Sequence, residues 1–316
     1  LVESAVQILG LYLPKGTTVL NTRGKGVLDE RVYKTSIAPL DTKIPMAVLI
    51  DGSSASASEI VTGALQDLDR AVVVGNRSFG KGLVQSTRQL PYDGLLKVTT
   101  AKYYIPSGRL IQAIDYSRRN PDGSVARIPD SLTSVFHTAG GREVRDGGGI
   151  TPDVKVEYPD INRLTYNVVR DQWAFDFATK YAAEHPSIAA PRDFVVTDTI
   201  YSQFIDFIDP AKFNYDKVCE TAIEQLRKLA ESEGYMNDST KAQIDILAGM
   251  LRHDLRHDLE QNRPNIAPYL ASEIVGRYYY DAGEVENSIV SDRAVDSARA
   301  ILTTPRYQKI LRPAGK

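Results

Sequence analysis

Apolar residues at Leu1, Val2, Ala5, Val6 and Leu9 recur at helical spacing, so the chain opens on a helix. Short runs rich in apolar or β-branched residues follow, at Thr17–Leu20, Met46–Ile50, Ala71–Val74 and Leu95–Ala101, and these predict strands. Met46–Ile50 and Ala71–Val74 are continuous apolar runs, as expected of strands buried on both faces. Between them Ile60, Ala64, Leu65 and Leu68 form one helical stripe, so strand, helix and strand succeed one another as in a βαβ unit. Beyond Tyr158-Pro159-Asp160 the strand signals fade, and helical patterns cover 163–184, 199–208, 215–233, 237–260, 265–280 and 290–303. Breakers at His185-Pro186, Asp209-Pro210, Gly234, Arg263-Pro264 and Gly283 separate most of them. The pattern predicts two parts: an α/β region over 1–158 and an all-α region over 159–316.

Composition narrows the picture without changing it. A chain of 316 residues has the length of two domains, at about 150 residues each. With 42% hydrophobic and 25% charged residues, it is a folded protein rather than a disordered one. No apolar run is long enough to span a bilayer as a helix. The net charge is -2 and basic residues do not cluster, which argues against nucleic-acid binding. The single cysteine, Cys219, excludes an intrachain disulfide and a cysteine-rich metal site; on its helical pattern it reads as a small buried residue. The chain begins without Met or a signal-like segment and in mid-pattern, as a fragment of a longer polypeptide would.

Candidate chemistry concentrates in Asp51-Gly52-Ser53-Ser54-Ala55-Ser56-Ala57-Ser58-Glu59-Ile60, which joins a buried strand to a helix. Free backbone N–H groups and the helix dipole favour developing negative charge there. A serine at that point attacks a carbonyl if a base stands nearby. Ser56-Ala57-Ser58-Glu59 also fits the S-x-x-E capping box, and on these residues alone the cap is the stronger reading. The G-x-S-x-G elbow of α/β-hydrolases is absent. The four histidines, His137, His185, His253 and His257, give a Ser-His-Asp triad no support. Lys81, in Ser78-Phe79-Gly80-Lys81-Gly82-Leu83-Val84-Gln85, is the better candidate base. It follows the strand Ala71–Val74 through a glycine-containing turn. In an apolar pocket its amine would lose solvation and accept the serine proton as a neutral base; the alternative is a loop lysine pointing into water.

Together these segments resemble the C-terminal processing peptidases, also called tail-specific proteases. The resemblance is carried by Ser54-Ala55-Ser56-Ala57-Ser58-Glu59-Ile60, Ala64-Leu65-Gln66-Asp67 and Phe79-Gly80-Lys81-Gly82-Leu83-Val84-Gln85. It continues through Tyr103-Tyr104-Ile105-Pro106-Ser107-Gly108-Arg109-Leu110-Ile111-Gln112 and Gly149-Ile150-Thr151-Pro152-Asp153. It covers about residues 1–158 in family order, with the lysine 25 positions after the central serine. It implies a partial Clp-protease/crotonase-like α/β core followed by an all-α C-terminal domain. By position it implies Ser56 as nucleophile, Lys81 as general base, Gln85 as the residue orienting the amine, and the Ala57 N–H as an oxyanion donor. Ser54 and Ser58 are then structural, with the capping role passing to one of them, and Asp67 is expected as an exposed structural acid near a helix end. The implied activity is serine endopeptidase cleavage near the C-termini of proteins or peptides with apolar tails, through an acyl-enzyme and without cofactor or metal. The implied location is extracytoplasmic: bacterial periplasm or cell envelope, or chloroplast lumen. The family's glycine pair with the other oxyanion donor, its PDZ domain and part of its core are expected upstream of Leu1. Because losing one oxyanion donor costs about a hundredfold to a thousandfold in rate, the 316-residue chain alone is expected to be weak or inert.

Other features weigh less. His253 and His257 fall at i and i+4, as paired zinc ligands do, but Arg252 and Arg256 flank them and no glutamate lies between; a solvated helix face is the expected reading. Tyr269, Tyr278, Tyr279 and Tyr280 read as core positions with hydroxyls at the surface, an adhesive patch being the alternative. Gly147-Gly148-Gly149 reads as a loop leading to a strand at Val154–Val156. Two rival functions remain: a catalytically silent scaffold whose helical part binds an adaptor, a lipoprotein or a second copy, and an acyl-thioester enzyme of the crotonase type. The Ser56, Lys81 and Gln85 set disfavours both, since neither needs a lysine at that spacing.

Overall fold

The computed structural model describes residues 2–25, 30–119, 122, 125–158 and 161–312. Leu1 of the opening helix and Pro159-Asp160 of the expected boundary lie outside them. The chain divides into two compact units, residues 1–158 together with 293–316, and residues 159–292. The first change of regime therefore falls at 158, while the last two helices, read above as part of the helical region, belong with the first unit.

In the first unit the order is α1 (Val2–Tyr12), β1 (Thr18–Gly24), β2 (Arg31–Lys34), β3 (Ala47–Ile50), α2 (Ala57–Asp67), β4 (Val72–Gly75), β5 (Leu83–Gln89) and β6 (Leu95–Tyr104). Short strands follow, β7 (Ile114–Arg119), β8 (Val125–Arg127), β9 (Val135–His137), β10 (Glu143–Arg145) and β11 (Val154–Lys155). One sheet is antiparallel in the order β2-β1-β6-β5, and a second is parallel in the order β11-β4-β3. The unit β3-α2-β4 is the expected βαβ, with Ala47 opposite Val72 and Ile50 opposite Gly75.

Continuous apolar character means two covered faces only for the central strand. Ala71 and Val73 face a core shared by α1, α2, β1 and β6, built on Leu9, Leu20, Ile60, Ala64, Tyr103 and Ile111. Val72 and Val74 face a second core, closed by Ala294, Ala298 and Ile301 of α10 (Arg293–Leu302) and by Tyr307 and Leu311 of α11 (Arg306–Leu311). The last two helices thus cover the sheet face that α2 leaves open, which is why Val72–Gly75 is buried throughout. At the edge of the sheet β3 is less enclosed, and Leu49 is exposed.

The second unit runs α3 (Arg163–Arg170), α4 (Trp173–Glu184), α5 (Asp198–Phe207), α6 (Val218–Ser232), α7 (Asp238–Met250), α8 (Leu255–Gln261) and α9 (Arg263–Ile289). Its core joins Val168, Phe177, Tyr201, Phe204, Leu259, Ile266, Leu270 and Ile274. The single helix expected over 163–184 breaks at Gln172, whose backbone is left-handed. That expected over 237–260 breaks before Asp254, whose side chain caps α8 by accepting the His257 N–H. Gly283 does not interrupt α9. The kink is at Tyr280, and Gly283 lies buried inside the helix, where a Cβ would stand 2.2 Å from that of Tyr279. Cys219 is exposed rather than buried, because α6 buries only Ile223 and its first turn lies outside the contact. No described helix is long and apolar enough to cross a membrane.

Candidate active site

Strand β3 delivers the chain to a tight turn in which the Asp51 carboxylate accepts the N–H groups of Ser53 and Ser54. Ser54 is consumed by this turn, its hydroxyl bonding Asp51, and it does not cap α2 as expected. The cap position is Ser56 itself, in a conformation no ordinary cap adopts: φ 57° and ψ -114°. A non-glycine residue held at positive φ is strained, and such strain collects at functional sites. Its consequence resembles that of the hydrolase elbow: the side chain is raised at the strand-to-helix turn, although the G-x-S-x-G pattern is missing. Ala57 opens α2, so its N–H has no intrahelical partner and is available beside the Ser56 side chain.

One carboxylate fixes this arrangement. Glu59 is fully buried, and one of its oxygens accepts the Ser56 N–H at 2.9 Å and the Lys81 N–H at 2.8 Å. The other accepts the Gly80 N–H at 2.7 Å and the Ser78 hydroxyl. Ser78 in turn accepts the Ile150 N–H at 2.7 Å, and the Phe79 N–H reaches the Ser54 carbonyl at 2.9 Å. The capping-box reading of Glu59 accounts for one of its four bonds. The other three tie the serine elbow to the lysine loop, and their partners lie 19 to 22 residues further along the chain.

The glycines beside Lys81 are required by close approach. A Cβ on Gly80, at φ +86°, would stand 2.3 Å from that of Ala113, and one on Gly82 would stand 2.8 Å from the Gln112 nitrogen. Lys81 is exposed, not enclosed as the neutral-amine argument supposed. It lines a cavity of about 480 Å³ with Gln85, Phe79, Leu83, Ile114 and Gln112 among its neighbours. The structure thus brings Lys81 and Gln85 to one cavity, and it joins Ser56 to Lys81 through their backbones.

Tyr103 of β6 completes the contact. Its side chain is buried and its hydroxyl donates to the Lys81 carbonyl. Burial first, and then the charge of Glu59, push the phenol well above its ordinary value of 10.0, the neighbouring Ser56 hydroxyl opposing them. The folded state therefore holds this proton more tightly than the unfolded chain does. Its contribution to stability is complete below the ordinary tyrosine value and declines as pH rises above it. The urea midpoint should fall on the alkaline side of pH 10.0, and Tyr103→Phe should flatten that fall. An unchanged slope in the variant would show that other groups carry it.

Asp67 is not the exposed acid expected. It is buried at the end of α2, paired with Arg109 at 2.9 Å, and accepts the Ser107 N–H at 2.9 Å. In the second unit His253 and His257 do not share a helix face. His253 precedes α8 with its Nδ1 2.7 Å from Asp258, and His257 is exposed. Tyr278 packs on the helical core and donates to the His185 carbonyl, while Tyr280 stands exposed at the kink.

A serine raised on a strand-to-helix elbow of an α/β core, followed by a helical unit, sets the class to which known proteins can be compared. Residues 1–125 match Peptidase family S41, and residues 164–302 match the family described as probable PDZ-protease, C-terminal helical domain. The carboxy-terminal-processing protease of Bartonella bacilliformis is 41% identical over 146 residues, 46% of this chain and 33% of that protein. A probable CtpA-like serine protease of Staphylococcus haemolyticus is 29% identical over 233 residues, 72% of this chain and 45% of that protein. Among solved structures, a photosystem II D1 C-terminal processing protease overlays with a TM-score of 0.36 at 25% identity, over 50% of this chain and 31% of that one. The two parts of the chain are thus similar, separately, to Peptidase family S41 and to the helical domain of probable PDZ-proteases, and the chain spans less than half the length of these curated relatives.

Proposed function

We propose that the protein is a serine endopeptidase that cleaves protein substrates near their C-termini through a Ser56–Lys81 dyad. The observation that carries this reading is the shared carboxylate: Glu59 holds the Ser56 N–H and the Lys81 N–H on one oxygen, with Ser56 in a strained left-handed elbow. In the reaction the Ser56 Oγ forms a bond to the substrate carbonyl carbon while its proton passes to the Lys81 amine. The negative charge that develops on the carbonyl oxygen is met by the Ala57 N–H. Collapse breaks the C–N bond, and the leaving amine takes the proton from Lys81. Water then hydrolyses the acyl-enzyme by the same steps in reverse roles. Gln85, on the wall of the same cavity as Lys81, would orient the amine in this reading.

The reading includes substrates with apolar C-terminal tails and an extracytoplasmic location, supported by the resemblance to C-terminal processing proteases. The test is mass spectrometry of such a peptide incubated with the full-length protein and with its Ser56→Ala and Lys81→Ala variants. Cleavage should fall by roughly a thousandfold or more in each variant. Equal cleavage by the Lys81→Ala variant would exclude the dyad.

A further inference from the structure

Lys81 is restrained at both of its peptide groups. Its N–H is fixed by Glu59 on α2 and its carbonyl by the Tyr103 hydroxyl on β6, while the next carbonyl, of Gly82, accepts the Tyr103 N–H at 3.1 Å. Only the side chain of the lysine remains free to move.

We infer that Tyr103 is a positioning residue of the dyad: its hydroxyl clamps the lysine's own backbone to β6. This rests on the Ser–Lys reading above and adds to it a third group that holds the base. Losing the clamp lets the amine drift, and displacement by about an ångström costs up to a hundredfold. The clamp also survives at alkaline pH, where a lysine becomes a base, because burial and the Glu59 charge keep the phenol protonated.

The readout is the rate at which a fluorophosphonate labels Ser56, followed from neutral to alkaline pH, which needs no peptide substrate. Four proteins are compared: wild type, Tyr103→Phe, Tyr104→Phe, and a protein with 3,5-difluorotyrosine at 103. Tyr104 is half-buried on the same strand, with the Arg23 guanidinium 5.0 Å from its ring centre, and its loss should leave labelling unchanged. Tyr103→Phe should label about tenfold to a hundredfold more slowly. Difluorotyrosine keeps the packing but is a stronger acid, so labelling should match wild type near neutrality and fall where that phenol ionises and stops donating. This second variant carries the test if the phenylalanine variant does not fold. Wild-type rates in Tyr103→Phe, or a difluorotyrosine protein that follows wild type throughout, would overturn the role of Tyr103 alone. A full-length wild-type protein that never labels at Ser56 would overturn the dyad and this role together.

Discussion

Glu59→Ala should abolish the reactivity of Ser56 and lower the stability of the α/β unit together. The substitution removes an acceptor from four donors at once, the Ser56, Gly80 and Lys81 N–H groups and the Ser78 hydroxyl. Gly80 and Ser78 are buried and have no water to turn to, so each unpaired donor costs about 1–3 kcal/mol, and the variant should lose roughly 2–6 kcal/mol. The Ser56 elbow is the more sensitive part. Its positive φ is a strained conformation that persists only while its surroundings impose it, and the Glu59 bond to its N–H is one of the restraints. Released, the residue relaxes toward an ordinary cap and the hydroxyl leaves the lysine loop.

Glu59→Gln separates shape from acceptor count. Its amide oxygen can keep the Ser56 and Lys81 N–H groups, and its NH2 can then donate to Ser78, whose hydroxyl rotates to accept. The Gly80 N–H is left unpaired and the Ser78 hydrogen loses its acceptor, for a cost of about 2–6 kcal/mol, as in the alanine variant. Labelling of Ser56 should survive in this variant and be lost in Glu59→Ala. Urea titration and fluorophosphonate labelling of both would decide. An alanine variant within about 0.5 kcal/mol of wild type, the range of a neutral surface change, would show that Glu59 does not hold the two segments together.

What the sequence discloses about this site follows the distance over which each interaction acts. Ser56, Ala57 and Glu59 lie within one helical turn, so a local motif announces them, but it announces them as a cap. The bonds from Glu59 to Ser78, Gly80 and Lys81 cross a strand and a loop, and no spacing rule reports them; resemblance to a family singled out Lys81, and it left Glu59 and Tyr103 without roles. The fold divides likewise. The apolar run Ala71–Val74 is legible as a buried strand, yet what buries its second face is α10 and α11, more than two hundred residues on, whose helical period gives no clue to their partner. Asp67 misleads for the same reason. A carboxylate at a helix end belongs in solvent unless a cation 42 positions away is folded against it.

That cation gives the second large effect. Arg109→Met should destabilise the α/β unit by about 3–5 kcal/mol, because it leaves the Asp67 carboxylate buried without its partner. The pair has side-chain exposures of 1% and 0%, and Arg109 also donates to the Gln66 side chain at 2.7 Å and the Arg145 carbonyl at 3.0 Å. Desolvation lowers the guanidinium's proton affinity and the Asp67 charge opposes that, so neither ion suits this site alone. Methionine keeps the stem of the arginine and removes the charge. In the double variant Asp67→Asn/Arg109→Met no unpaired charge remains, and the asparagine oxygen can still accept the Ser107 N–H. The double variant should therefore be less destabilised than the two single changes added together. A salt titration gives an independent check. The exposed pair Arg77–Asp130 weakens as ions screen it, whereas the Asp67–Arg109 contribution should be nearly the same at low and high ionic strength. Urea midpoints of wild type, both single variants and the double variant supply the cycle. Strict additivity, or a single change costing less than about 1 kcal/mol, would mean that the pair is replaceable and that the end of α2 is held by the Gln66, Arg142 and Asp153 contacts instead.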